Sequence, residues 1–148
     1  MEPQIDPAAV VAAIGDAVIV SDVQGCVVVW NAAAERLFGW TEAEALGQRM
    51  DMIIPERLRK RHWEGYDKSM QTGETRYAHD VLRVPAVDKA GRAMSIAFTV
   101  FMLFGPDGRP SACGSVIRDE TGRFAQDREL RKHVAELEAR LAATGAGS

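Results

Sequence analysis

Two short turn sequences in the second half of the chain limit its fold more than any other feature. Asp-Lys-Ala-Gly at 88–91 and Gly-Pro-Asp-Gly at 105–108 contain the residue types that close tight hairpins. They separate three segments with the length and composition of β-strands, which are 77–87, 93–104 and 111–118. Strands joined by such short turns pair antiparallel, so we expect a three-stranded antiparallel meander.

The middle segment indicates which side of this meander is buried. Large apolar side chains recur there at every second position, namely Met94, Ile96, Phe98, Val100 and Met102. Alternate residues of a strand point to the same side of the sheet, so these side chains are predicted to face the core.

The first half of the chain predicts two further strands. Runs of β-branched residues at 17–20 and 26–30 flank the turn sequence 22–25 and are typical of an antiparallel hairpin. With the meander they give five strands. We therefore predict an α+β fold built on one antiparallel five-stranded sheet.

Short helices are predicted around these strands. Asn31 is a cap for a helix over 32–37, and Thr41 with Glu44 forms the capping box of another. Good helix formers predict one helix before the first strand, over 5–14, and Pro55 opens a longer one over 56–70. Helices this short need packing against the sheet to be stable.

Composition narrows the class of protein. The 148 residues suit one domain, and 47% hydrophobic with 26% charged residues is the balance of a globular protein. A net charge of −3 argues against a nucleic-acid partner. No apolar run approaches the roughly 20 residues that span a bilayer, and 1–6 lack the positive region of a signal peptide. We expect a soluble cytoplasmic protein without a membrane partner.

Cysteine and histidine usage argues against a metal scaffold. Cys26 and Cys113 are too few and too distant for a disulfide framework or a zinc knuckle, and are expected to be reduced core thiols. His62, His79 and His133 lack the spacing of a helical metal pair, and the last two are expected at the surface.

The chain becomes polar and helical after 119. Its apolar residues there follow the spacing of a coiled-coil seam, with members Leu130, Val134, Leu137 and Leu141. Two heptads are short for an isolated coiled coil. Either the helix packs on its own domain, or it pairs with a second chain or leads into an output module. We favour pairing, which gives a homodimer.

Several sequence pieces, in this order and spacing, carry a resemblance to a known family. They are Asp-Ala-Val-Ile-Val-Ser-Asp at 16–22 with Gly25, Trp-Asn-Ala-Ala-Ala-Glu-Arg-Leu-Phe-Gly-Trp at 30–40, Glu-Ala-Leu-Gly at 44–47, Ile-Pro-Glu-Arg at 54–57, Gly91, and Arg-Asp-Glu-Thr at 118–121. Together they resemble a PAS domain over roughly 14–124. The resemblance implies a PAS domain at 15–119 and a signalling helix at 120–142. The residues on either side predict a flanking helix at 1–14 and a flexible tail of small residues at 143–148.

The PAS resemblance also implies a role. Such domains sense small molecules, dimerise and signal to an output partner, as in bacterial two-component systems. They are not normally catalysts, and the sequence shows no nucleophile with a plausible base. The resemblance further implies that Asp119 and Thr121 couple the last strand to the signalling helix.

The segment 54–62 resembles the haem-binding, oxygen-sensing branch of the family, and this implies that His62 is the axial ligand of haem iron. Periodicity independently places Leu58, His62 and Tyr66 on one helix face, which should face the sheet. A buried structural histidine is the alternative. The reactive cysteine of flavin photosensors is absent from 40–50, so flavin is not expected.

The predicted pocket around His62 is apolar. Its other members are Ile53, Leu58, Tyr66, Leu82, Ile96, Phe98, Val100 and Val116. The resemblance places Leu82 where oxygen sensors carry a distal arginine. If Leu82 points into the pocket, strand alternation points the neighbouring Arg83 away from it. Three hypotheses remain: a haem sensor, a ligand-free dimerisation module, and a sensor of another organic molecule such as a carboxylate or fatty acid.

Overall fold

A computed structural model describes residues 3–75 and 78–146 of the chain. Its strands are β1 (Ala17–Asp22), β2 (Val27–Trp30), β3 (Leu82–Val87), β4 (Ala93–Phe104) and β5 (Pro110–Asp119). They form one five-stranded antiparallel sheet in the order β2-β1-β5-β4-β3. The predicted α+β fold and both hairpin turns of the meander are confirmed.

Helices precede, connect and follow these strands. They are α1 (Pro7–Ala13), α2 (Ala32–Phe38), α3 (Glu42–Ala45), α4 (Arg59–Thr72) and α5 (Thr121–Ala146), with 3-10 turns at Met50–Ile53 and Glu56–Leu58. The predicted caps are present: Asn31 accepts from the amide of Ala34, and Thr41 and Glu44 form the capping box. Within the described residues no helix has the length and apolar content needed to cross a membrane.

The two largest errors in the predicted boundaries are at the start of β3 and at the end of α5. β3 begins at Leu82 rather than at 77, because its ladder with β4 starts at the pair Leu82–Phe98 and residues 78–80 form an exposed bend. Tyr77 lies outside the described residues. α5 continues to Ala146 instead of ending at Ala142, and the Thr144 hydroxyl donates to main-chain oxygens one turn earlier. Residues 147 and 148 of the predicted tail are likewise outside the described part.

The sheet buries one face beneath α2 and α3, and this side is called the inner face. The largest fully buried side chains are Trp30, Phe38, Ile19 and Val27. The Trp30 and Phe38 rings lie 5.7 Å apart, and Trp30 Nε1 donates to the carbonyl oxygen of Trp40 at 2.9 Å. Burial of these large side chains is the main source of the domain's stability.

Asn31 joins three elements through one buried side chain. Its Oδ1 accepts from the amides of Val18 in β1 and Ala34 in α2, at 2.9 and 3.0 Å. Its Nδ2 donates to the carbonyl oxygens of Val11 in α1 and of Asp16, at 2.9 and 3.1 Å. Sequence reasoning found the helix cap and missed the links to α1 and β1.

Candidate functional site

Helix α4 carries His62 and is attached to the domain through polar and aromatic contacts. No residue of α4 is fully buried. Arg59 donates to the carbonyl oxygens of Ile54 and Asp51 at 3.1 and 3.2 Å, and the Tyr66 hydroxyl donates to the carbonyl oxygen of Asp22. These contacts hold α4 without the interlocking side chains of a packed core.

His62 lies on the side of α4 that faces the rest of the domain. The side chain is half-buried, and its Nδ1 is buried without a hydrogen-bond partner. The centre of its ring lies 4.6 Å from the centre of the Trp63 ring, with the two planes nearly perpendicular, and 6.0 Å from the centre of the Tyr66 ring. Burial lowers the pKa of His62; the nearby Asp51 carboxylate raises it, and Arg49 lowers it. The imidazole is therefore neutral at pH 7.

The apolar residues predicted around His62 fall into two groups by burial. Ile53 and Ile96 are fully buried. Half-buried members are Leu58, Tyr66, Leu82, Phe98 and Val100. The half-buried strand residues lie on the inner face, where a filled core would cover them completely. The inner face of β3 and β4 is therefore only partly covered by the rest of the described chain.

The prediction for Val116 is wrong. In the sheet Val116 pairs with Val18 and Thr99, whereas Ile117 pairs with Ala17 and Phe98. Neighbouring strand residues point to opposite faces, so Val116 lies on the outer face and Ile117 on the inner face.

The register of β3 places Leu82 and Arg83 as alternation predicts. Leu82 pairs with Phe98 on the inner face and is half-buried. Arg83 pairs with Ala97 on the outer face and is exposed. No guanidinium from this strand position faces the side on which His62 lies.

Two further titratable groups near α4, the Tyr66 hydroxyl and the Cys113 thiol, are uncharged at neutral pH. Burial raises the pKa of the Tyr66 hydroxyl, with contributions from Cys113 and Asp22. Burial also raises the pKa of the Cys113 thiol to about 11, so it is not a thiolate. Both cysteines are free and half-buried. The described residues hold no cluster of three or more His, Cys, Asp or Glu side chains that could bind a metal ion.

The junction between β5 and α5 is held by a small hydrogen-bond network. Asp119 Oδ1 accepts from the amide of Thr121 at 2.9 Å, and Thr121 Oγ1 accepts from the amide of Ser95 at 3.0 Å. The carbonyl oxygen of Ser95 accepts from the amide of Glu120 at 2.8 Å. The start of α5 is thus joined to β4. Ser95 was missed by sequence reasoning because its contribution comes from the main chain.

The seam of α5 does not pack on its own domain. Leu130, Val134, Leu137 and Leu141 are 61%, 44%, 42% and 72% exposed. Residues 121–145 are all exposed, so the alternative of a helix docked on its own domain is wrong. His133 on this helix, and His79 before β3, lie at the surface as expected.

Two of the open grooves on the described part of the chain lie away from His62. The first, of about 490 Å³, runs between α2 and the end of β5 and includes Arg36, Asp119 and Glu120. The second follows the surface of α5 near Leu130 and His133.

Comparison with known proteins identifies a family. A family model described as the PAS fold matches residues 6–119. The sensor protein FixL of Bradyrhizobium diazoefficiens is 51% identical over 49 residues, which are 33% of this chain and 10% of that protein. An uncharacterised protein of Azorhizobium caulinodans is 36% identical over 86 residues, which are 57% of this chain and 12% of that protein. The matches thus span only about a tenth of these relatives.

Solved structures share the fold. The PAS domain of a Colwellia psychrerythraea protein has a TM-score of 0.66 at 22% identity, covering 78% of this chain and 94% of that one. An RNA-binding light-oxygen-voltage receptor has a TM-score of 0.69 at 19% identity, covering 90% of this chain and 41% of that one. At these identities the likeness concerns the fold.

Proposed function

This chain belongs to the PAS family, and from that premise we propose that it is a sensory module that binds haem through His62. The observation that carries the proposal is the buried Nδ1 of His62, which has no hydrogen-bond partner. An unpaired buried nitrogen costs about 1–3 kcal/mol, and a bound group that engages the ring offsets that cost.

The electrostatics of His62 suit an iron ligand. Metal ions bind the neutral imidazole, and burial lowers the pKa of His62 so that the neutral form prevails at pH 7. No carboxylate within hydrogen-bond distance competes for Nδ1.

The surroundings suit a large apolar group. Leu82, Phe98 and Val100 present half-buried side chains on the inner face, and α4 is attached mainly by polar contacts. A flat macrocycle would cover these side chains, and the space would form as α4 shifts outward.

The residues that would hold haem are His62, as the iron ligand, with Leu58 and Tyr66 from α4 and Leu82, Ile96, Phe98 and Val100 from the sheet. Haem would supply an iron that binds a diatomic gas or changes redox state. Leu82 offers no donor to the partial negative charge of bound oxygen. We therefore expect carbon monoxide, nitric oxide or redox state to be sensed in preference to oxygen.

The first prediction concerns haem uptake. Titration of haem into the purified protein should give a sharp Soret band, and His62→Ala should weaken binding at least about tenfold, because the proposed iron ligand is lost. His133→Ala is the matched control, since His133 is exposed on α5, and should bind as the unmodified protein does.

Equal uptake by the unmodified protein and His62→Ala would contradict the proposal. If no specific uptake occurs, native mass spectrometry distinguishes the other hypotheses. A retained carboxylate or fatty acid indicates another ligand, and bare protein indicates a ligand-free module.

A second function, dimerisation through α5, is favoured by the exposed seam. Four apolar side chains at coiled-coil spacing face solvent along this helix. The flanking residues Arg131 and Glu138 have opposite charge, so the surface is compatible with a second copy of itself. We propose a homodimer in which Asp119 and Thr121 pass changes in the sheet to the paired helices, and thence to a signalling partner.

The second prediction tests this seam. Leu130→Gln with Leu137→Gln should raise the dimer dissociation constant by about 100-fold or more, because four buried leucines are lost per dimer. Sedimentation velocity over a concentration series measures the change. Ala135→Gln with Ala139→Gln alters the same helix off the seam and should leave the constant unchanged. Equal sedimentation of both double variants would place the interface elsewhere.

A further inference from the structure

Trp63, the residue after His62, is held by two separate parts of the chain, the turn with Gly25 and the segment 49–51. The guanidinium carbon of Arg49 lies 4.1 Å from the centre of the Trp63 ring. The Trp63 Nε1 donates to Asp51 Oδ1 at 2.7 Å. The six-membered part of the ring fills the place where a Cβ of residue 25 would stand, so the side chain rests directly on Gly25.

The slot that receives Trp63 is built by main-chain pairing. Cys26 and Arg49 form an isolated β-bridge. The amide of Val27 donates to the carbonyl oxygen of Gln48, and that of Gly47 to the carbonyl oxygen of Val27, both at 2.9 Å. The turn that carries Gly25 and the segment that carries Arg49 are therefore fixed relative to each other, which makes the slot rigid.

The contact between the slot and His62 is direct. The His62 and Trp63 rings meet edge to face at 4.6 Å and 81°. No side chain of α4 is fully buried, so no apolar core determines how this helix is rotated about its axis. The contacts of Trp63 with Gly25, Arg49 and Asp51 instead fix the rotation of α4 about its axis.

We propose that Trp63 is the positioning residue of His62: by seating in the slot formed by Gly25, Arg49 and Asp51 it sets the rotation of α4 that turns Nδ1 of His62 inward. That His62 binds haem is part of the function proposed above. The effect of Trp63 on the orientation of His62 can be tested without haem. It follows that a change at Gly25, which is remote in sequence, alters the exposure of His62.

The test compares two glycines with the same backbone. Gly25 and Gly47 both have φ of +82°, so Gly→Ala strains both similarly, but a Cβ meets Trp63 at Gly25 and open space at Gly47. The readout is the rate at which diethyl pyrocarbonate modifies His62, measured by peptide mass spectrometry. The exposed His79 and His133 are internal standards. Gly25→Ala should raise the His62 rate about tenfold, and Gly47→Ala should leave it unchanged.

Changes at Trp63 itself provide a second arm. Trp63→Leu should also raise the His62 rate, and Trp63→Phe, which keeps a ring in the slot, should restore most of the protection. Circular dichroism checks that each variant is folded. If Gly25→Ala is unfolded, the comparison of Trp63→Leu with Trp63→Phe tests the proposal by itself. Protection of His62 that is the same in Trp63→Leu as in the unmodified protein overturns the proposal. Protection that depends on Trp63 without any haem uptake overturns only the haem function.

Discussion

Trp30→Ala should lower the free energy of unfolding by about 4 kcal/mol, which is a large part of the 5–15 kcal/mol typical of a domain. The side chain is 1% exposed and packs on Phe38, so its removal leaves a cavity among large core side chains. It also leaves the carbonyl oxygen of Trp40 without its indole donor. Equilibrium unfolding in urea measures the change.

Two further variants on β2 separate the effect of burying the Trp30 ring from the effect of its hydrogen bond. Val28 is 49% exposed, so Val28→Ala should change the free energy of unfolding by less than about 0.5 kcal/mol. Trp30→Phe keeps an aromatic ring and loses the hydrogen bond to Trp40, and should cost about 1–2 kcal/mol. A Trp30→Ala variant as stable as Val28→Ala would show that the core does not depend on this ring.

Turn sequences and helix caps were predicted correctly, because contacts between residues close in sequence determine them. The bounds of β4 were predicted from the two turn sequences beside it, and they agree with the structure because both turns close through contacts between near neighbours. The caps at Asn31 and Thr41 were predicted for the same reason. β3 was predicted too long, since its start depends on where Phe98 of another strand provides a partner.

The alternation of residues along a strand did not predict which side chain faces the core where both faces of the strand are apolar. Val116 and Ile117 are neighbours in β5, and each is compatible with a core position. Only the pairing of β5 with β1 and β4 decides that Ile117 faces inward. By contrast the resemblance placed Leu82 on the pocket side, strand alternation then placed Arg83 on the other face, and the pairing of β3 with β4 agrees with both.

The candidate site was predicted in part. The spacing on α4 placed His62 on the side facing the domain, because a helix repeats every 3.6 residues whatever it packs against. The role of Trp63 was not foreseen. It depends on a glycine in a distant turn and on a β-bridge at Arg49, and neither contact follows from periodicity.

Asn31→Ala should lower the free energy of unfolding by about 3–4 kcal/mol, although it removes only a small polar side chain. The residue is 5% exposed, and its amide group makes four hydrogen bonds. An N-cap accounts for about 1 kcal/mol, and each buried main-chain group left unpaired adds about 1–3 kcal/mol. Urea unfolding measures the total.

Asn31→Asp separates the two ends of this side chain. A carboxylate still accepts from the amides of Val18 and Ala34 beside the start of α2, where negative charge is favourable. It cannot donate to the carbonyl oxygens of Val11 and Asp16, so α1 loses its polar link to the domain. We expect about half the loss of stability seen with alanine, together with faster amide exchange in α1 and unchanged exchange in α2. Equal losses in both variants would mean that the donated bonds to α1 and to Asp16, rather than the cap, account for the stability that Asn31 provides.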